Sequence, residues 1–322
     1  MLLLCNYYVT YRCNASCEFC HFADHEYFNK FPNASLEDYT RNLYELKELG
    51  VKFIDLTGGE PLLNKNLPEM LQLAKKLKIK TSVTTNTLLY PKYAEKMKGL
   101  VDLLHFSLDS PYEEEHNRIR KVNCYNSVFK SIEIAKGLKE APDLLFTVTN
   151  DTYKYLPEMH KIALEYNLIL LINPVFSYFG NPGLNDEALN YIEDFYKGKK
   201  NVYLNPSFIR LRKKGGNDIN NPSCKAVSRV IVISPDNKII LPCYHFKNQT
   251  IPIDRPIKEI MKTDVYQHYL KMEGRFNFCQ GCTVNCYFEP SFAIPTNYYS
   301  FLSVASKFKY GYYKILKQGK FL

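Results

Sequence analysis

Tyr11-Arg12-Cys13-Asn14-Ala15-Ser16-Cys17-Glu18-Phe19-Cys20 carries three thiols within eight residues, spaced Cys-x3-Cys-x2-Cys. Residues 5–10 just before it are rich in aromatic and β-branched types and read as a strand, so the thiols lie on the loop that leaves it. Further strands are expected at 52–57, 80–85, 101–108, 144–149 and 168–175, with helical patterns between them. That order is the signature of repeated βα units and a parallel sheet. The first intervening helix has Ser35 as its N-cap, Glu37 and Asp38 in its first turn, Leu36, Tyr39, Leu43 and Leu46 on one face, and Gly50 at its end. The remaining helices are expected near 66–77, 91–98, 125–139 and 155–166.

Six such units form an open doubly wound sheet or a partial barrel, and in both the chemistry belongs at the C-terminal ends of the strands. The unusual residues fall there. The cysteine loop follows strand one, Gly58-Gly59-Glu60-Pro61 follows strand two, Asn86 follows strand three, and Ser107-Leu108-Asp109 ends strand four.

Three thiolates and one imidazole, from His21 or His25, would make a structural zinc site. Four cysteines would close a cubane iron–sulfur cluster, whereas three leave one iron open to a substrate or cofactor.

The loop Cys13, Cys17, Cys20 resembles the CxxxCxxC loop of the radical S-adenosylmethionine (radical SAM) superfamily, and Gly58-Gly59-Glu60-Pro61 matches that family's GGEP motif. The resemblance spans about residues 5–176. It implies an α/β fold built on a partial (βα)6 TIM-like barrel and a [4Fe-4S] cluster whose open iron chelates S-adenosylmethionine (SAM). It further implies reductive cleavage of SAM to methionine and a 5′-deoxyadenosyl radical that abstracts a substrate hydrogen. Gly58 and Gly59 then allow close approach to the methionyl group, Glu60 accepts from its ammonium, and Phe19 resembles the aromatic near the adenine. Ser107, Asp109 and, more weakly, Asn86 become ribose or methionyl contacts. Arg118 and Arg120 lie where the family often places a base for the SAM carboxylate, and Arg120 is kept as the candidate. Alone, the glycine motif also reads as a tight turn, Asn86 as a strand-end cap, Asp109 as a turn cap and either arginine as a helix-surface residue.

Cys224, Cys243, Cys279, Cys282 and Cys286 form a second group, with a hairpin at 230–241 between the first two. This is similar to the C-terminal SPASM and twitch extensions, which bind auxiliary clusters. Five thiols fit one additional [4Fe-4S] cluster in a shortened, twitch-like arrangement, with a second three-thiolate site bearing an open iron as the alternative that spacing leaves open. Cys224, Cys243 and Cys286 with either Cys279 or Cys282 is the first choice of ligands, and all five stay candidates. A four-thiolate zinc site has the same spacing, and His245 could replace a thiolate. Cys5 and Cys124 read as small buried hydrophobes.

The chain has 322 residues, 46% hydrophobic and 23% charged, enough for an ample core, which excludes dominant disorder. No run approaches the roughly 18 apolar residues of a membrane span. The start, Met1-Leu2-Leu3-Leu4-Cys5, lacks the basic and apolar stretches of a signal peptide and reads as part of the first strand. Size and missing signal argue against a secreted disulfide framework. The net charge of +9 tolerates an anionic partner without demanding one, but Lys307, Lys309, Lys314, Lys317 and Lys320 lie in the last 32 residues with no acidic residue. There Tyr298, Phe301, Ala305, Phe308, Tyr312 and Ile315 recur at three- and four-residue spacing. Such a basic aromatic helix either lies on an anionic membrane or, the preferred expectation, docks its apolar face on the barrel. The 26 tyrosines and the absence of tryptophan have no functional account.

The expected organisation is a core at 1–185, a connecting region at 186–223, a small cysteine-rich C-terminal domain at 224–290 and a tail at 291–322. The expected partners are a reducing donor such as flavodoxin or ferredoxin and a substrate, peptide or protein first, lipid or small metabolite second, but no nucleic acid. The expected location is cytoplasmic, with peripheral membrane contact if the tail binds lipid. A zinc-stabilised, non-catalytic binding protein is the competing reading.

Overall fold

The computed structural model describes residues 2–177, 181–293 and 298–318, the side chains of 316–318 excepted. The expected strands are present as β1 (Leu4–Thr10), β2 (Phe53–Gly58), β3 (Lys80–Thr85), β4 (Leu103–Ser107), β5 (Asp143–Val148) and β6 (Leu170–Pro174). To these are added β7 (Val202–Tyr203), β8 (Val230–Ile233), β9 (Lys238–Leu241) and β10 (Gln249–Pro252). All ten form one sheet in the order β10-β9-β8-β1-β2-β3-β4-β5-β6-β7. Neighbours from β8 through β7 run parallel, and β9 and β10 add an antiparallel edge. The sheet does not close on itself, so the architecture is a partial barrel.

Alternation along the strands sorts the two faces. Cys5, Tyr7 and Val9, Ile54 and Leu56, Leu104 and Phe106, and Leu144 and Phe146 belong to the core between sheet and helices. Their neighbours Asn6, Tyr8, Asp55, Ser82, His105, Ser107 and Thr147 therefore face the interior. The helix Leu36–Glu48 shows why the outer layer forms. Ser35 caps it by accepting from the Asp38 amide at 3.0 Å, and Tyr39, Leu43 and Leu46 are fully buried. Gly50 leaves it at φ +89°, as a helix-ending left-handed residue requires.

The hairpin between Cys224 and Cys243 is an extension of the main sheet, because β8 pairs in parallel with β1 from Leu4↔Val230 to Tyr7↔Ile233. Its turn is also tied to the first helix, since Asn42 donates to the Asn237 side chain at 2.8 Å. At the other edge, the helix Tyr298–Gln318 packs on β7 and on the helix Pro206–Lys213, covering a strand that would otherwise be open. No helix among the described residues is long and apolar enough to cross a membrane.

Candidate functional site

The cysteine loop is held from three directions. The Gly59 amide donates to Thr10 O at 3.1 Å and the Glu60 amide to Arg12 O at 2.8 Å, which lashes the glycine motif to the start of the loop. The amides of Ser16 and Glu18 donate to Arg120 O and Ile119 O at the end of the helix Glu113–Arg120. The His25 ring lies 3.0 Å from Ala15 O and 3.2 Å from Ser16 Oγ, so it braces the loop from within.

Gly58 and Gly59 are explained by this lashing. A Cβ on Gly58 would stand 1.9 Å from Thr10 O and one on Gly59 2.2 Å from Arg12 O, both backbone atoms, and Gly58 has φ +147°. The close approach they permit within the chain is to the cysteine loop itself.

Glu60 is buried and accepts from the Thr85 hydroxyl at 2.8 Å, the Asn86 amide at 2.8 Å and the Leu62 amide at 3.2 Å. Burial raises its pKa, and those three donors relieve part of the rise. A carboxylate accepts about four hydrogen bonds, so one place remains for an external donor. Asn86 donates to Asn14 Oδ1 at 2.7 Å, joining the end of β3 to the loop. Thr85 and Asn14 carried no motif signal, and only the fold shows their part.

Asp109 is fully buried, and its Oδ2 lies 2.8 Å from Arg120 Nε and 2.6 Å from Nη2 while Oδ1 accepts from the Thr147 amide at 3.0 Å. Desolvation opposes the Arg120 charge, yet Asp109 and then Cys17 outweigh it and its pKa is raised. Arg118 is different: it is exposed and bridges Glu115 and Glu18, both at 2.8 Å. Ser107 is buried at the C-terminal end of β4, two residues before Asp109. Asn181 donates to Phe19 O at 2.9 Å, and Phe19, Thr147, Thr149 and Val175 line a cavity of about 140 Å³ at the tops of β5 and β6. Nothing in the sequence pointed to Asn181 or Thr147.

Cys17 is buried and Cys13 and Cys20 half-buried. Burial pushes their thiols up, Cys13 to about 12 and Cys20 to about 11, so a cation is needed among them to hold thiolates at neutral pH. An aromatic layer of Tyr8, Tyr11, Phe22 and Tyr244 closes the loop's rear, with Tyr8 stacked on Tyr244 at 4.3 Å.

Of the five later cysteines, four act on one another. Cys224 feels the charges of Cys282, Cys243 and Cys279, Cys243 feels Cys282 and Cys279, and Cys279 feels Cys282. Cys286 is not in this set. Its thiol is pushed up to about 12 by burial and then by Asp55. These charge contacts group Cys224, Cys243, Cys279 and Cys282, while Cys243 and Cys286 both act on the Tyr287 hydroxyl, and all five stay candidate ligands. The Asn217 side chain organises them: it donates to Gly274 O and Cys279 O and accepts from the Cys224 amide at 3.2 Å. His245 packs edge-on against Phe176, Tyr244 and Tyr287.

Among the described residues, no three histidine, cysteine, aspartate or glutamate side chains converge on one metal ion. Zinc draws its sulfurs to about 2.3 Å from a single point, whereas a cubane spreads its thiolates over separate irons.

Comparison with known proteins agrees with this geometry. Residues 7–163 match the model of the Radical SAM superfamily. A "Probable GTP 3',8-cyclase" of Methanococcus maripaludis strain C5 is 27% identical over 84% of this chain and 94% of its own. Its namesake from Methanococcus aeolicus is 31% identical over 64% of this chain and 70% of its own. In structure, anSMEcpe with bound AdoMet superposes with a TM-score of 0.66 at 18% identity, over 99% of this chain and 98% of that one.

Proposed function

The chain belongs to the radical SAM superfamily and is an enzyme that binds SAM and a [4Fe-4S] cluster, and from that premise we propose a two-electron oxidation of a substrate held inside the barrel. In this reading Cys13, Cys17 and Cys20 hold the SAM-binding cluster. Glu60 with Asn86 and the Asp109–Arg120 pair with Ser107 fix the SAM methionyl and ribose groups, and Phe19 borders the adenine. A cluster and SAM held there would supply a reducing electron and the means to remove one hydrogen atom from a substrate carbon.

The oxidation rests on Cys224, Cys243, Cys279 and Cys282 acting on one another, which supports a four-thiolate auxiliary cluster. Four thiolates complete a second cubane and leave no iron for substrate, so that site suits electron transfer and the barrel wall must hold the substrate. A substrate that has lost a hydrogen atom reaches a closed-shell oxidised product by losing one more electron and one proton. Asp55 is placed to take that proton. It faces the interior, is held by Ser82 Oγ at 2.6 Å, and is raised to about 6 by burial, near the value that suits a base at neutral pH.

The same wall bears on substrate class. Of the inward positions of β1–β6, only Lys80 is cationic, at the rim and paired with Asp102 at 2.9 Å. A triphosphate calls for several lysines or arginines. Arg120 and the buried Arg212 stand nearby but off the strands, so the strand wall leaves the substrate class as a peptide or protein side chain first and a small metabolite or lipid second.

The test is anaerobic iron analysis and SAM turnover with a low-potential reductant. The parent should hold about eight irons per chain. Cys13→Ala/Cys17→Ala/Cys20→Ala should lose 5′-deoxyadenosine formation and keep about four. Single alanine variants of Cys224, Cys243, Cys279 and Cys282 should each lose the auxiliary cluster, and Cys286→Ala should keep full iron. Iron loss in Cys286→Ala with retention in Cys279→Ala or Cys282→Ala would return Cys286 to the ligand set and sink the assignment.

A further inference from the structure

The helix Tyr298–Gln318 meets the barrel with its polar face. Ser300 and Ser303 are fully buried, Asn205 donates to Ser303 Oγ at 2.9 Å, and Lys307 pairs with Glu289 at 2.9 Å. Lys314 Nζ lies 2.6 Å from Asp143 Oδ1 with both side chains buried, and the Tyr310 hydroxyl donates to Asp143 Oδ2 at 2.5 Å. These pairs fix the rotation of the helix. The preferred expectation of an apolar face packed on the barrel is therefore reversed: Tyr298, Phe301, Ala305, Phe308, Tyr312 and Ile315 all point to solvent. Phe301 is 68% and Phe308 77% exposed, more than any large apolar residue described outside this helix, and together they form one stripe rather than scattered positions.

We propose that this stripe is a peripheral docking surface for an anionic lipid bilayer. Aromatic rings set along one side of a helix suit the boundary between headgroups and acyl chains. The charge around the stripe is complementary to such a surface. Arg210 lies over the Tyr298 ring at 5.7 Å and Lys214 over the adjacent Tyr299 at 5.9 Å. No acidic residue occurs in the last 32 positions, although Lys317 and Lys320 lie outside the described side chains.

A second copy of the chain is the poorer occupant. Self-pairing along the stripe would bring like charges together. At 1.5 Å per residue the stripe is roughly 25 Å long and about 10 Å wide, so two copies would hide on the order of 500 Å², against ~1,200 Å² for a stable interface.

The proposal is independent of the substrate, and co-sedimentation of the full holoenzyme with vesicles tests it. Phosphatidylcholine vesicles containing phosphatidylserine should carry the protein down, phosphatidylcholine alone should not, and added salt should weaken binding. Phe301→Ser/Phe308→Ser/Tyr312→Ser should weaken binding by at least about tenfold while 5′-deoxyadenosine formation continues, because these side chains are exposed and lie away from the cysteine loop. Failure of the parent to sediment with anionic vesicles, or equal sedimentation of the variant, overturns the proposal. So does a solution dimer that the triple substitution dissolves, which would assign the stripe to a second copy.

Discussion

Arg120 and Asp109 form a buried ion pair, Nη2 to Oδ2 at 2.6 Å, that joins the end of β4 to the helix whose last carbonyls hold the cysteine loop. The pair thus connects side-chain electrostatics to the placement of Cys17. Arg120→Met removes the guanidinium and leaves the Asp109 charge buried, a change worth roughly 3–5 kcal/mol. The variant should unfold at lower denaturant and lose iron from the first cluster while keeping the auxiliary one. Denaturation together with iron analysis checks both, and unchanged stability would show the pair to be dispensable.

Gly59→Ala should be far worse than an alanine elsewhere on the surface. Its Cβ would meet Arg12 O at 2.2 Å, and a backbone oxygen cannot swing aside as a side chain can. The cysteine loop must shift, so the expected result is loss of the first cluster and of SAM binding. Gly137→Ala, where nothing lies within 4 Å, is the control and should behave as the parent.

Two buried groups give opposite pH dependences. Asp55 is raised to about 6, so its contribution is favourable at low pH and is lost as pH rises from the usual carboxylate range through 6. Asp55→Asn should therefore raise the melting temperature at pH 7.5 and do little at pH 4, with an upper bound of about 3 kcal/mol from the two-unit shift. His116 behaves in reverse. Its Nδ1 accepts from the Asp109 amide at 3.1 Å, and burial and then Arg120 lower its pKa to about 3. The stability it contributes is present above pH 6.5 and falls as the unfolded chain takes up the proton below that value. His116→Gln should flatten the acid limb of the stability profile. Melting curves from pH 4 to 8 distinguish the two cases.

If Asp55 takes the substrate proton, Asp55→Asn should slow substrate oxidation by roughly 10²–10⁴ while SAM cleavage without substrate proceeds as before. Equal losses in both would place Asp55 in the packing of the barrel instead.

Lys314→Met should loosen the C-terminal helix. Asp143 would keep the Tyr310 hydroxyl and the His105 ring at 3.7 Å but lose the ammonium that balances its buried charge. A loss of roughly 3–5 kcal/mol is expected by chemical denaturation. Lys309→Met, which removes only a cation over the Tyr196 ring at 4.2 Å, should cost about 1 kcal/mol or less.

The strand–helix alternation, the cysteine loop and the glycine motif were legible because each is local: a strand is set by its own residue types, and a ligand loop by spacing within eight residues. The Ser35 cap and Gly50 stop were readable for the same reason, and the structure places that helix at Leu36–Glu48. What the sequence left open needed contacts between distant segments. The choice of four among five later thiols depends on how 224–243 packs against 279–286, which spacing alone does not fix. That Arg120 and not Arg118 is the one meeting Asp109 is likewise a contact only the fold shows. The tail shows the limit most clearly. Its periodicity correctly grouped Tyr298 through Ile315 on one face, but periodicity defines a face without saying what the face meets. Only the tertiary structure decided that, because a buried aspartate on β5 drew Lys314 inward and turned the aromatic face to solvent.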